Sequence, residues 1–316
     1  MKVSAIIPTL GRRRELETVV ERLDEAPLEE LLVVVNGVDP EPLEELVARS
    51  RHPARLLASE VNIGIGARNL AAREATGELL LMLDDDSYPL PGAVEALAAA
   101  FESQAKLGAA GGLVREVDEH GAVLADRGPG TFDWFFRGGR YGPVGPEGLA
   151  TFFFPEGAAL LRREAFLEVG GFFEPFGFHY EGLELATRLL ASGWDVRYVP
   201  EARFDHLRGS RAFDPASLEQ RVRNQLWYFW LHFPAAVAAR RIPAYLAFDL
   251  VESCYRGVAG AWLRGVAGAW RDRGSVRGRR RPLPSEVLRR AELNRGRLHM
   301  ALLLRQLQRR LPGGRP

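Results

Sequence analysis

Over the first hundred residues the hydrophobic positions fall into two alternating patterns. Residues 3–8 and 31–35 read as short strands, and the apolar run 79–83 shows no polar alternation, as expected of a strand buried on both faces of a parallel sheet. Between the first two, Leu16, Val19, Val20 and Leu23 recur at helical spacing and predict an amphipathic helix over residues 12–24. A second helix is predicted over 42–50, a third strand at 55–58, and a helix ending at Ala75 that leads into the 79–83 run. Gly77 before that run and Pro89 and Pro91 after it favour a strand over a buried helical turn. This alternation predicts an α/β doubly wound, mostly parallel sheet with right-handed crossovers and helices on both faces, a half-domain suited to a nucleotide.

Farther along, residues 152–161 read as another buried strand, followed by a helix opening at Arg162-Arg163 and a turn at Gly170-Gly171-Phe172-Phe173. A helix is predicted over 183–192, a strand over 195–199 and a helix over 218–233, whose Trp227, Tyr228 and Trp230 read as core more than as site. Residues 128–151 mix Gly and Pro with Phe132, Trp134, Phe135, Phe136 and Tyr141, aromatics able to stack on a sugar, grip a lipid, or pack on their own domain. Residues 259–270 and 287–311 are helical patches flanking a Gly/Arg/Pro hinge at 274–284.

Composition sharpens the division. A chain of 316 residues with 47% hydrophobic content has room for two domains. The net charge of +1 hides a split: from Arg240 onward there are 18 arginines, no lysine and five acids, or +13, against 24 basic and 36 acidic groups before it, or −12. Arginine interleaved with Ala, Leu, Val and Trp describes an interfacial helix for an anionic membrane surface. Nucleic acid is not expected as a partner, since no recognition fold accompanies the cluster. A homodimer contact is the other use of that face. Cys254 is the only cysteine, so no internal disulfide forms, as suits a cytoplasmic protein. Residues 1–8 lack a signal-peptide core, and the best membrane-span candidate, 244–263, is broken by Asp249, Glu252 and Arg256. The expected location is the cytoplasm, as a soluble protein or peripheral at the inner face of the membrane.

The chemistry concentrates at Asp84, Asp85 and Asp86, immediately after the 79–83 run. Adjacent carboxylates repel one another and are best tolerated around a hard cation, Mg²⁺ or Mn²⁺, at the carboxyl end of a strand. A solvated acidic turn capping the next helix is the competing role. In Asn62-Ile63-Gly64-Ile65-Gly66-Ala67-Arg68-Asn69 the glycines let backbone approach a ligand and Arg68 suits a phosphate, although Gly64 and Gly66 also fit a plain tight turn. No P-loop or complete dinucleotide fingerprint is present.

Pro8-Thr9, Asn36-Gly37, the 62–69 segment, Gly77-Glu78, Asp84-Asp85-Asp86, Arg162-Arg163-x-x-Phe166-x-x-x-Gly170-Gly171-Phe172, Glu181, Gly193-Trp194 and His206 follow one another in an order and spacing that resembles the family 2 glycosyltransferases. The likeness covers roughly residues 3–235 and implies a GT-A domain there, with residues 1–100 as nucleotide half and 101–235 as acceptor half, before a basic helical extension at 236–316. It also implies inverting transfer of a sugar from a nucleoside diphosphate to a hydroxyl of a glycan or lipid-linked acceptor in surface polysaccharide synthesis. By that resemblance Asp84, Asp86 and His206 hold the metal; Pro8, Thr9, Arg12, Asn36, Asn62, Gly66, Arg68, Asp84 and Asp85 line the nucleotide site. Arg208 and Arg211 would fold over the diphosphate.

Two positions depart from the family pattern. Val35 stands where an Asp contacts the base, and Gly182 stands where an Asp takes the acceptor proton. Glu181 and Glu184 remain as bases, with Glu181 favoured. Glu184 lies four residues before Arg188 on the predicted helix, so an exposed ion pair is its other role; for Glu181 it is a helix cap. Asp133 on the 128–151 loop is a further candidate. The two missing aspartates leave a non-catalytic sugar-nucleotide sensor or scaffold as an alternative. A sugar nucleotidylyltransferase is a second, with Arg12-Arg13-Arg14 a poor match to its Gly-rich, Lys-containing stretch.

Overall fold

A computed structural model of the chain describes residues 1–127, 149–207 and 214–288. Its first half alternates β1 (Val3–Thr9), α1 (Arg13–Leu23), β2 (Glu30–Asn36), α2 (Glu41–Ala48), β3 (Ala54–Ser59), α3 (Gly66–Glu74) and β4 (Leu79–Leu83). The strands pair in parallel in the order β3-β2-β1-β4. Every residue of β2 and β4 is buried, which is why their sequences show no polar alternation. Within β4, Leu79, Leu81 and Leu83 face a cluster containing Leu16, Val19, Val20 and Leu23 of α1. Leu80 and Met82 face the opposite cluster, with Ala67, Ala71 and Ala72 of α3.

The chain continues through β5 (Ser87–Pro89), α4 (Ala93–Ser103), β6 (Leu107–Val117), β7 (Val123–Arg127), β8 (Leu149–Ala150), β9 (Ala158–Arg162), α5 (Arg163–Glu168), α6 (Glu181–Ala191) and β10 (Asp195–Leu207). Beyond β4 the sheet runs β9-β6-β10-β5, with β7 on β6 and β8 on β10. Helices α1, α2 and α4 cover one face, and α3, α5 and α6 the other. The sheet is mixed. It is parallel from β3 to β4 and between β6 and β10, but β9 runs antiparallel to both neighbours, β4 and β6. Unbroken apolar runs report burial on two faces and say nothing of strand direction.

Three predicted boundaries move. The 152–161 run is strand only from Ala158, because Pro155 has no N–H to donate and its carbonyl accepts from Ala158 N–H (3.1 Å) to close a turn. The 195–199 strand continues to Leu207 across a register shift between Val199 and Arg203, next to Pro200. Helix α6 opens at Glu181, two residues earlier than its periodicity suggests, after His179 (φ 67°) and Tyr180 (φ 71°) in the left-handed region. That conformation is unfavourable for such residues. Asn224 holds the segment in place, its Nδ2 donating to the carbonyls of Phe176 (2.7 Å), Phe178 (2.7 Å) and His179 (2.8 Å).

Asn224 lies on α7 (Pro215–His232), which packs with α8 (Ala235–Tyr255) and α9 (Ala259–Arg271). Trp227, Phe229, Phe233 and Tyr245 form one cluster with Phe173, Phe176 and Leu183, so the helical extension supports the turn that delivers α6. Trp227 and Tyr228 are core as expected, while Trp230 is 38% exposed. The predicted hinge at 274–284 is packed: Arg281 N–H bonds Leu231 O (2.9 Å), and Leu283 N–H bonds His232 O (2.7 Å). Among the described residues no helix is long and apolar enough to cross a membrane. The loop aromatics and Asp133, Arg208 and Arg211, and the 287–311 helix beyond Leu288 lie outside the described residues.

Candidate active site

The three aspartates leave the end of β4 in a tight turn, with Ser87 N–H bonding Asp84 O (3.1 Å) and Asp84 N–H bonding Ser87 Oγ (2.9 Å). Alternate side chains of the turn diverge. Asp84 and Asp86 turn toward His206, which β10 brings opposite Ser87 of β5. One ligand atom from each of the three lies within 4.8 Å of the others. Asp85 turns toward β1, accepting from Thr9 Oγ1 (2.7 Å) and from both Nε and Nη2 of Arg12. Arg12 Nη1 also reaches Asp86 Oδ2 (2.5 Å), and Arg68 Nη2 donates to Asp84 Oδ1 (2.6 Å) and Leu83 O (3.0 Å).

Two guanidiniums and an imidazole thus offset the repulsion inferred from the sequence. Burial would raise Asp86, but the hydrogen bond and charge of His206, then Arg12, hold its carboxyl at about 2. The same hydrogen bond raises His206, Nε2 lying 3.3 Å from Asp86 Oδ1. Asp85 goes the other way, because burial outweighs its bonds to Thr9 and Arg12. Two carboxylates and an imidazole fit Mg²⁺ or Mn²⁺, the nitrogen favouring Mn²⁺.

On the nucleotide side Pro8 and Thr9 end β1, and Asn36 ends β2. Asn36 Oδ1 accepts from Ile63 N–H (2.8 Å), while its Nδ2 donates to Asn62 Oδ1 (3.1 Å) and Gly64 O (3.2 Å). Asn62 Oδ1 accepts as well from Gly64 N–H (2.8 Å). The Asn36-Gly37 corner therefore shapes the 62–64 loop, and a side chain at Gly37 (φ 79°) would strike Asn62 backbone. Gly64 (φ 56°) makes the turn, and Gly66 opens α3 against the Glu174 carboxyl. Arg68 is only 3% exposed and faces inward, where it orients Asp84.

The acceptor side holds two different kinds of glutamate. Glu184, 2% exposed, pairs with Arg188 (2.7 and 2.6 Å) and His232 Nε2 (3.1 Å). The i,i+4 pair expected at the surface is a buried joint between α6 and α7. Burial would raise Glu184, but Arg188 and His232 hold it at about 2. Glu181 is 3% exposed and its Oε2 has no hydrogen-bond partner. Burial first, and the charge of Glu156 second, push its carboxyl well above the usual range. Glu156, which sequence reasoning missed, accepts from Gly182 N–H at Oε1 (2.8 Å). Its signal was a lone acid between Pro155 and Gly157 inside the otherwise apolar 152–161 run.

A cluster of acids and one histidine beyond the carboxyl ends of β1, β2 and β4, on a mixed sheet covered by helices, defines a GT-A type domain. Residues 4–170, more than half of the chain, match the glycosyl transferase family 2 model, and the chain belongs to that family. It is 30% identical over 202 residues to N-acetylglucosaminyl-diphospho-decaprenol L-rhamnosyltransferases from two strains of Mycobacterium tuberculosis, covering 54% of this chain. The chain spans 64% of the length of those relatives. Among solved structures its fold resembles Staphylococcus aureus TarS 1-349 in complex with UDP-GlcNAc (TM-score 0.58, 15% identity, 91% of this chain and 83% of that one). It also resembles the mannosyltransferase PcManGT from Pyrobaculum calidifontis in complex with GDP-Man and Mn²⁺ (TM-score 0.53, 20% identity, 85% and 74%).

Proposed function

We propose that the chain is an inverting, metal-dependent glycosyltransferase that moves a sugar from a nucleoside diphosphate to a hydroxyl of a lipid-linked saccharide in surface polysaccharide synthesis. The observation that carries this reading is the convergence of Asp84, Asp86 and His206 at the carboxyl end of the sheet. A Mn²⁺ or Mg²⁺ ion held there would offset the charge of the leaving diphosphate. Arg68 orients Asp84, while Thr9 and Arg12 fix Asp85 and Arg12 also holds Asp86. On the acceptor side a carboxylate beside the start of α6, where Glu181 was expected to act, takes the hydroxyl proton as oxygen attacks the anomeric carbon. The mycobacterial relatives suggest L-rhamnose and an N-acetylglucosaminyl-diphospho-polyprenol as the first donor and acceptor to test.

Thermal unfolding with UDP, GDP and dTDP tests the reading. One of them should raise Tm only when Mn²⁺ is present, by the equivalent of ~2.7 kcal/mol at a hundredfold excess over Kd. Identical curves with and without every nucleotide would overturn it.

The helical extension is proposed to meet an anionic membrane. On α9, Leu263 and Trp270 are 61% and 71% exposed, beside Arg264 and Arg271. A cavity of about 430 Å³ between α7, α8 and α9 is lined by Trp227, Trp230, Ile242, Leu246, Val266 and Trp270. The full chain should therefore bind phosphatidylglycerol vesicles at low salt and leave them as ionic strength rises. Replacing Leu263 and Trp270 together by serine should abolish sedimentation with vesicles. Unchanged sedimentation would remove α9 from the contact.

A further inference from the structure

Gly182 has no conformational reason to be glycine. It lies in the first turn of α6, and its φ is not among the positive values. What occupies the side-chain position is Glu156: a Cβ at position 182 would lie 2.2 Å from Glu156 Oε1 and 2.6 Å from its carboxyl carbon, so the glutamate would have to move to admit one. A second glycine works the same way next door, since a Cβ at Gly157 would lie 2.2 Å from Asp84 Oδ2. The Pro155–Ala158 turn is thus packed against the metal-site aspartate on one side and the start of α6 on the other. Ser87 ties it down, its Oγ donating to Gly157 O (2.6 Å). Glu156 is only half-buried, whereas Glu181 is buried with an unpartnered oxygen.

We propose that Glu156, entering from the β9 side through the space left by Gly182, is the carboxylate that takes the acceptor proton in place of Glu181. This rests on the transferase reading above. In the step, the acceptor O–H bond breaks and its proton goes to Glu156. The freed oxygen pair forms the bond to the anomeric carbon, and the carbon–oxygen bond to the nucleoside diphosphate breaks with its electrons leaving on the diphosphate. Glu156 is the more accessible of the two carboxyls, being half-buried where Glu181 is buried, so Glu156 is the one that an acceptor hydroxyl can reach. The absence of an acid at 182 is then a relocation of the carboxylate, which removes one of the two grounds for a non-catalytic sensor.

The test compares Glu156→Gln, Glu181→Gln and the double change Glu156→Ala/Gly182→Asp in the full chain. Transfer is measured from nucleoside diphosphate L-rhamnose to a short-chain N-acetylglucosaminyl-diphospho-polyprenol, and Mn²⁺-dependent nucleotide affinity by calorimetry. Gln at 156 can still accept from Gly182 N–H, so the fold should hold. Its kcat should fall ~10²–10⁴-fold with nucleotide affinity unchanged. The double change, which supplies a carboxylate from the opposite strand of chain, should recover at least tenfold over Glu156→Gln, which no structural role of Glu156 would allow. Glu181→Gln should keep the larger part of kcat. Full activity in Glu156→Gln, a loss confined to Glu181→Gln, or no recovery in the double variant overturns the inference and leaves the transferase reading intact. A wild-type chain that neither binds any of the nucleotides with Mn²⁺ nor transfers sugar overturns both.

Discussion

Asp86→Ala is expected to remove metal-dependent nucleotide binding. Losing even a residue that only supports a metal ligand costs about 10–100-fold in affinity, and Asp86 is itself one of the three proposed ligands, so the loss should reach the upper end of that range or exceed it. The remaining Asp84 and His206 leave too few donors for a hard cation. The fold should survive, because Arg12 keeps both its bonds to Asp85 and the turn is closed by Ser87 rather than by Asp86. Relief of carboxylate repulsion should not make the variant more stable, since Asp86 is held ionised by His206 and Arg12 and alanine forfeits both contacts. Calorimetric titration of UDP, GDP and dTDP into the variant, with and without Mn²⁺, measures the effect. Undiminished Mn²⁺-dependent affinity would place the metal elsewhere, and an unfolded variant would make the acidic turn a packing device.

Much of the fold was legible because burial leaves a period in the sequence. The unbroken runs at β2 and β4 and the Leu16-Val19-Val20-Leu23 face of α1 stand where hydrophobic spacing placed them. The candidate metal cluster was legible only in part by chemistry: a carboxylate triplet at a strand end invites a cation, but His206, 120 positions later, was joined to it through the family resemblance. Periodicity could not give the direction of β9, because an antiparallel strand buried on both faces has the same composition as a parallel one. It also could not separate the roles of the glutamates. Spacing put Glu184 four residues before Arg188 and suggested an exposed pair. The partner that buries it, His232, arrives from α7. Gly182 reads in the sequence as a missing acid, and only the fold shows that the carboxyl of Glu156 lies where a side chain at 182 would begin.

Glu184→Gln is expected to destabilise the chain by ~3 kcal/mol, roughly ten times what an exposed i,i+4 pair is worth. The ion pair is buried, and the amide would leave Arg188 and His232 facing a neutral group, the situation in which a broken buried pair is most costly. Arg188 would keep its bonds to Val169 O (2.5 Å) and Gly171 O (2.6 Å), so the joint should loosen without reorganising. The pH dependence gives an independent measure. Glu184 falls from its ordinary 4.5 to about 2 on folding, so the stability it contributes is present in full above 4.5 and lost as pH drops toward 2. That displacement corresponds to ~3 kcal/mol at 1.36 kcal/mol per pKa unit. Urea unfolding at pH 7 should show the variant weaker by this amount, and the gap should close as pH falls below 4.5. Folded Glu184→Gln should retain its kcat. A variant as stable as wild type but without transfer activity would make Glu184 the proton acceptor, and a stability loss under ~1 kcal/mol would mean that the pair is solvated after all.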